Sequence, residues 1–198
     1  MSAGSPTSLD DFNDGPPHRV VEALRACNAA PRFAAEVAAG RPYPDVDRLV
    51  ARAEAVARSL PWDEVSLALA AHPRIGDRVE WASSEAQASR REQSSMSAAD
   101  DATRAALVEG NREYEQRFDF VFLIRAAGRS PAEMLAELRR RLTNDAEAER
   151  TEATEQLAQI TGLRVRGLVS AAMATGERAS QGAQATEERN ESGAEPRG

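Results

Sequence analysis

The chain holds two histidines, and the residues around one of them are suited to acid–base chemistry. In "LALAAHPRIGDR", residues 67–78, an alanine-rich apolar run ends on His72, with Pro73 directly after it and Gly76 three residues further on. His72 follows Leu69 by three residues and Val65 by seven, so it prolongs a core-facing helical stripe. Pro73 disfavours helical backbone at the residue before it, which places the imidazole where the helix ends and the chain turns. An imidazole titrates near neutrality and burial tunes it, so this position fits a general acid or base. It fits a hydrogen-bonded structural histidine equally well, and position alone leaves both readings open.

A second candidate is "SRREQSS", residues 89–95. On a helix Ser89, Glu92 and Gln93 share a face at i, i+3 and i+4, while Arg90 and Arg91 turn elsewhere. A hydroxyl, a carboxylate and an amide pointing together can bind a flat, polar ligand, or they can form the solvated face of an ordinary helix. His18, at the start of the first expected helix, reads as exposed and without a role. The residues for other chemistries are missing. Two histidines and the single Cys27 lie too far apart for metal-ligand spacing. There is no nucleophile elbow, glycine-rich phosphate loop or dinucleotide fingerprint. All 25 basic residues are arginine, which removes Schiff-base and lysine-base chemistry. Catalysis by His72 therefore has to be cofactor-free.

The elements that must position these residues are helices almost throughout. Pro17–Asn28 is expected as a first helix, entered through the turn-like Asn13-Asp14-Gly15-Pro16. A short helix over 32–39 stops at Gly40 and the Pro42–Pro44 segment. Asp45 is placed to cap a helix carrying Leu49, Ala53, Val56 and Leu60, and Pro61 opens the helix that ends on His72. Ser83 or Ser84 is expected to cap a helix through Gln93, and Ser97-Ala-Ala-Asp100 to open a longer one to about Arg117. "FDFVFLIRAAG" breaks the helical period and reads as a buried extended or irregular segment. Ser130-Pro131 restarts a helix to about Leu142, and Thr143 or Asn144 caps a last one carrying Leu157, Ile160, Leu163 and Leu168. No strand alternation or internal repeat is present, so the fold class is all-α: a single-domain bundle of about seven to nine helices.

Composition sets the remaining bounds. The 198 residues divide into a flexible N-terminus (1–10), a helical domain (11–172) and a polar tail (173–198) with too few large apolar residues to repay ordering. A net charge of −7 argues against nucleic acid as partner, although Arg139-Arg140-Arg141 offers a local basic patch. A lone cysteine and the absence of any apolar run of membrane-spanning length lead to the expectation of a cytoplasmic protein with no membrane partner.

Four separated motifs, "HPRIGDR", Ser89 with "REQ" at 91–93, "NREYEQRFDFVFLI" with "AAGRS", and "LRRRLTNDAEAERTEATEQLAQITGLRVRGL", occur in the order found in the OHCU decarboxylases, and residues 12–168 resemble that family. The resemblance implies an all-α, cofactor-independent, commonly homodimeric enzyme. Its reaction converts 2-oxo-4-hydroxy-4-carboxy-5-ureidoimidazoline (OHCU) to (S)-allantoin, the last step of urate degradation by the uricase route. It further implies that His72 and Glu92 are catalytic, that Pro73 lies against the ligand, and that Ser89, Arg90, Arg91 and Gln93 belong to the substrate-binding helix. Phe122, Leu123, Ile124, Arg125 and Ala126 would form a third substrate segment, meeting the ring through main-chain groups. Arg125 departs from the family pattern, where a small residue or cysteine is common. Facing the pocket, it would pair with the substrate carboxylate; facing solvent or a dimer partner, it would be a surface residue, the reading favoured by backbone recognition at this point. The rival to catalysis is a non-enzymatic all-α regulatory or dimerisation module, distinguished by whether His72 and Glu92 converge. A helix-turn-helix DNA binder fits the acidity less well.

Overall fold

The computed structural model describes residues 6–72, 74, 93–126 and 128–191, the side chains of 93–100 and 171–191 excepted. Eight helices and no strand occur among them: α1 (Leu9–Asp14), α2 (Pro17–Cys27), α3 (Pro31–Ala39), α4 (Val46–Arg58), α5 (Trp62–Ala70), α6 (Gln93–Phe118), α7 (Pro131–Arg141) and α8 (Ala146–Glu191). Local chemistry accounts for most boundaries. The Asp45 carboxylate accepts the Arg48 amide at 2.7 Å and starts α4. Ser130 and Glu133 form a reciprocal capping box that starts α7, with Pro131 in the first turn. 

Four expected boundaries are corrected. Asp145, not Thr143 or Asn144, caps α8, its carboxylate accepting the amides of Glu147 and Ala148 at 3.0 and 2.8 Å. Ser97-Ala-Ala-Asp100 does not open a helix, because α6 already runs from Gln93 through residues that tolerate a helix interior. The helix α1 lies within the segment read as a flexible terminus and a turn. Ser8 caps its start, Phe12 is fully buried, and Arg41 Nη1 donates to the carbonyls of Phe12 (2.9 Å) and Gly15 (2.8 Å) at its end. The backbone of α8 is helical to Glu191, across the stretch read as a tail. Alanine, glutamate, glutamine and arginine there favour helix locally without contributing a core face.

The helices bury two apolar clusters. The larger gathers α1–α5 against α8, with Phe12, Leu24, Phe33, Leu49, Leu69 and Leu157 at its centre. The smaller joins α6 and α7 through Leu107, Tyr114, Met134 and Leu138. Gly110 allows the α6–α7 approach, since a Cβ there would lie 2.6 Å from Leu138. Leu163, expected on the core face of α8, is 47% exposed. Among the described residues no helix is long and apolar enough to cross a membrane.

Candidate active site

His72 ends α5 where the sequence places it. Val65 and Leu69 are buried on the same stripe, and His72 itself is 7% exposed. The Ala71 and His72 amides bond back to Ala68 and Leu69, tightening the last turn. His72 Nδ1 lies 2.8 Å from the Ala68 carbonyl. A carbonyl only accepts, so Nδ1 carries the hydrogen and Nε2 presents a bare lone pair. Nε2 is buried and has no hydrogen-bond partner among the described residues. A buried acceptor left open costs about 1–3 kcal/mol and is a place where a ligand donor gains most. Burial holds the imidazole below its usual pKa; the Ala68 bond opposes this, and the Arg164 guanidinium on α8 adds to it. His72 is thus a neutral base at physiological pH. His18 is exposed, as expected.

The depressed pKa fixes a stability trend. The unfolded chain, with an ordinary imidazole near 6.5, binds the proton more readily than the native state. Stability from this group is complete above that pH and is lost as pH falls below about 6.5 towards the lower native value. Urea midpoints measured from pH 8 to pH 5 should fall more steeply for wild type than for His72→Gln; parallel slopes would show that His72 titrates normally.

The segment following α6 turns sharply. Asp119 adopts a left-handed φ of 63°, and its amide bonds Glu115 at the helix end. Residues 120–126 then run without helical bonds, as the broken period suggests. Phe122 and Ile124 enter the smaller cluster while Leu123 enters the larger, the two-residue alternation of an extended strand wedged between two cores. Those three side chains are therefore committed to packing, and recognition through this segment falls to main-chain groups. The Leu123 carbonyl accepts from Arg141 Nη1 at 2.7 Å, and the Arg125 amide donates to Gln156 Oε1 at 2.9 Å. The Arg125 carbonyl accepts from Arg129 at 3.3 Å. The amide and carbonyl of Ile124 enter no hydrogen bond among the described residues. Arg125 is half-buried, its Nε enclosed and without a partner among the described residues, and Ala126 is exposed.

Arg141 was read as part of a basic surface patch. Only Arg139 and Arg140 are exposed; Arg141 is buried at 1% exposure because it continues the Met134–Leu138 stripe of α7. Its Nε lies 2.8 Å from Glu149 Oε1, and Glu149 is fully enclosed. Tyr114 hydrogen-bonds the same oxygen, and Asn144 donates to the other at 2.8 Å. The Phe122 ring lies 4.8 Å from the guanidinium. This buried knot joins α6, α7, α8 and the 122–126 segment.

His72 and the segment share α8 as their support: Arg164 acts on His72, and Gln156, two turns earlier, holds Arg125. Trp62 and Phe120 meet edge to face at 4.9 Å, tying α5 to the same segment. Arg74, two residues beyond His72, forms a forked ion pair with Glu115 of α6 at 2.6 and 2.8 Å. Pro73, Ser89, Arg90, Arg91 and Glu92 lie outside the described residues; Gln93 opens α6, its side chain likewise outside them. Among the described residues, no group of three or more histidine, cysteine or acidic side chains could hold a metal ion.

The family model for OHCU decarboxylase matches residues 13–166. The chain is 30% identical over 155 residues to the uric acid degradation bifunctional protein TTL of Arabidopsis thaliana, covering 74% of this chain and 46% of that protein. It thus spans about half the length of that relative. Among solved structures it is similar to an OHCU decarboxylase crystallised in the presence of (S)-allantoin, with TM-score 0.61 and 26% identity over 79% of this chain and 99% of that one. It shares its fold with an (S)-allantoin synthase, with TM-score 0.60 and 19% identity over 82% of this chain and 54% of that one. A helical architecture, a helix-end histidine with an open Nε2 and a family match over most of the chain agree, and the chain belongs to the OHCU decarboxylase family.

Proposed function

We propose that this chain decarboxylates OHCU to (S)-allantoin, with His72 as its acid–base group. The observation that carries the reading is the neutral, enclosed imidazole whose Nε2 lone pair has no partner among the described residues, in a chain of this family. When the C–COO⁻ bond breaks, its electron pair moves into the adjacent ring C=N bond, whose nitrogen takes a proton, and CO2 leaves. The substrate supplies its own electron sink. The enol that remains then loses its hydroxyl proton, and the carbon bearing the ureido group gains a proton. His72 Nε2 accepts the hydroxyl proton and, as the imidazolium, returns it to the ureido-bearing carbon from one face, while the ring nitrogen takes its proton from water.

The other roles are those that the family resemblance implies. Glu92, with Gln93 and Ser89, grips the ureido group, Arg90 and Arg91 complete the substrate-binding set, and Pro73 contacts the ring. The amide and carbonyl of Ile124, without hydrogen bonds among the described residues, pair with a ring amide, Phe122 and Leu123 seat that edge, and Ala126 closes it. Arg125, whose Nε has no hydrogen-bond partner among the described residues, and Arg164 beside His72 are the cations available to a substrate carboxylate. A homodimer and a cytoplasmic setting complete the proposal; Leu163 offers α8 an exposed apolar anchor, and the only cysteine is a buried free thiol. OHCU generated in place from hydroxyisourate and its hydrolase should lose CO2 faster with the protein than without it. An unchanged rate at micromolar protein would reject the activity.

A further inference from the structure

We infer that Arg141 and Gln156 are positioning residues that clamp one edge of the 122–126 segment, so that the opposite edge, the amide and carbonyl of Ile124, stays open for a cyclic ureide. The inference rests on the proposed decarboxylation and assigns work within it to Gln156 and to Arg141, which the sequence had placed in a surface patch.

In a planar trans peptide, the carbonyl and the following N–H point in opposite directions. Arg141 Nη1 holds the Leu123 carbonyl at 2.7 Å, so the Ile124 N–H is directed away from α7. Gln156 Oε1 holds the Arg125 N–H at 2.9 Å, so the Ile124 carbonyl is directed away from α8. With the side chains alternating between the two cores, the segment is extended, and both Ile124 groups lie on the edge that neither clamp occupies. A donor beside an acceptor is the complement of a ring amide, in which N–H and C=O are also neighbours.

The clamps differ in rigidity. Arg141 is fixed by Glu149 and Tyr114 and stacked on Phe122, so its remaining Nη1 donor reaches the loop from a preorganised fork. An ion pair needed only for stability would not require that last bond. Gln156 is half-buried, and its hydrogen bond among the described residues goes to the loop backbone. It can therefore be replaced with little risk to folding.

The test compares Gln156→Leu, Gln156→Glu and Arg141→Lys using freshly generated OHCU, following KM, kcat and melting temperature. Gln156→Leu removes one hydrogen bond that orients the binding edge, and kcat/KM should fall about five- to tenfold, almost entirely through KM. Its melting temperature should stay near that of wild type. Gln156→Glu keeps an acceptor oxygen for the Arg125 amide and should restore KM to within about twofold. Arg141→Lys, where it folds, should raise KM further, because a lysine cannot fork between Glu149 and the Leu123 carbonyl. A Gln156→Leu enzyme with wild-type KM, or a raised KM that Gln156→Glu does not rescue, overturns the inference while leaving the activity standing. A wild-type protein that does not accelerate OHCU decarboxylation overturns the activity and the inference together.

Discussion

Alanine in place of His72 is expected to lower kcat by about 10²–10⁴-fold, the usual contribution of a positioned acid–base group, and to leave a product that is no longer a single enantiomer. Three features of the structure make the effect large. Burial and the Ala68 carbonyl fix the neutral tautomer, Nε2 is the only ring atom left to act, and no partner among the described residues competes for it. The folded state should tolerate the change, because the side chain sits at the rim of the core and leaves only a small void. His72→Gln is the informative companion, since it retains a hydrogen-bonding group of similar reach but no basic nitrogen. Steady-state kinetics with optical rotation of the product separate the outcomes. Wild-type kcat in His72→Ala would assign the histidine to structure alone.

Methionine in place of Arg141 is expected to be the most destabilising single change in the chain. It leaves Glu149 fully enclosed with Tyr114 and Asn144 but without its cation, and unpairing a buried charge costs about 3–5 kcal/mol. At about 2–4 °C per kcal/mol for a chain of this size, the melting temperature should drop by on the order of 10 °C. The double change Arg141→Met, Glu149→Leu removes both charges and should recover much of that loss, because apolar residues of similar volume commonly replace a buried pair at little cost. Urea unfolding of the two single variants and the double closes the cycle. A loss below about 1 kcal/mol for Arg141→Met would mean that water reaches Glu149 in the variant.

His72 was legible in the sequence because two independent local rules, the Val65–Leu69–His72 spacing and the following proline, act on the same residue. The extended 120–126 segment was legible because seven consecutive positions abandon the helical period. Arg141 was hidden by its neighbours. A run of three arginines reads as a solvated charge patch, yet the four- and three-residue steps from Met134 through Leu138 place the third arginine on the buried stripe. Glu149 carries the matching signal, four residues before Ala153 and eight before Leu157, both fully buried. Gln156 had no such signal, since its partner is 31 residues away and only the folded chain brings them together. Helix α1 escaped for the same reason: six residues with one buried anchor are too few for periodicity, and Arg41, far along the chain, completes its end.

The enantiomeric composition of allantoin formed from fresh OHCU tests the account most directly. Uncatalysed decarboxylation protonates the ureido-bearing carbon from either face, so circular dichroism records catalysis apart from background. Wild-type protein is expected to give (S)-allantoin as the single enantiomer, faster than the spontaneous reaction, and His72→Ala to return the product to racemate. Racemic allantoin from the wild-type protein, formed at the spontaneous rate, would contradict it.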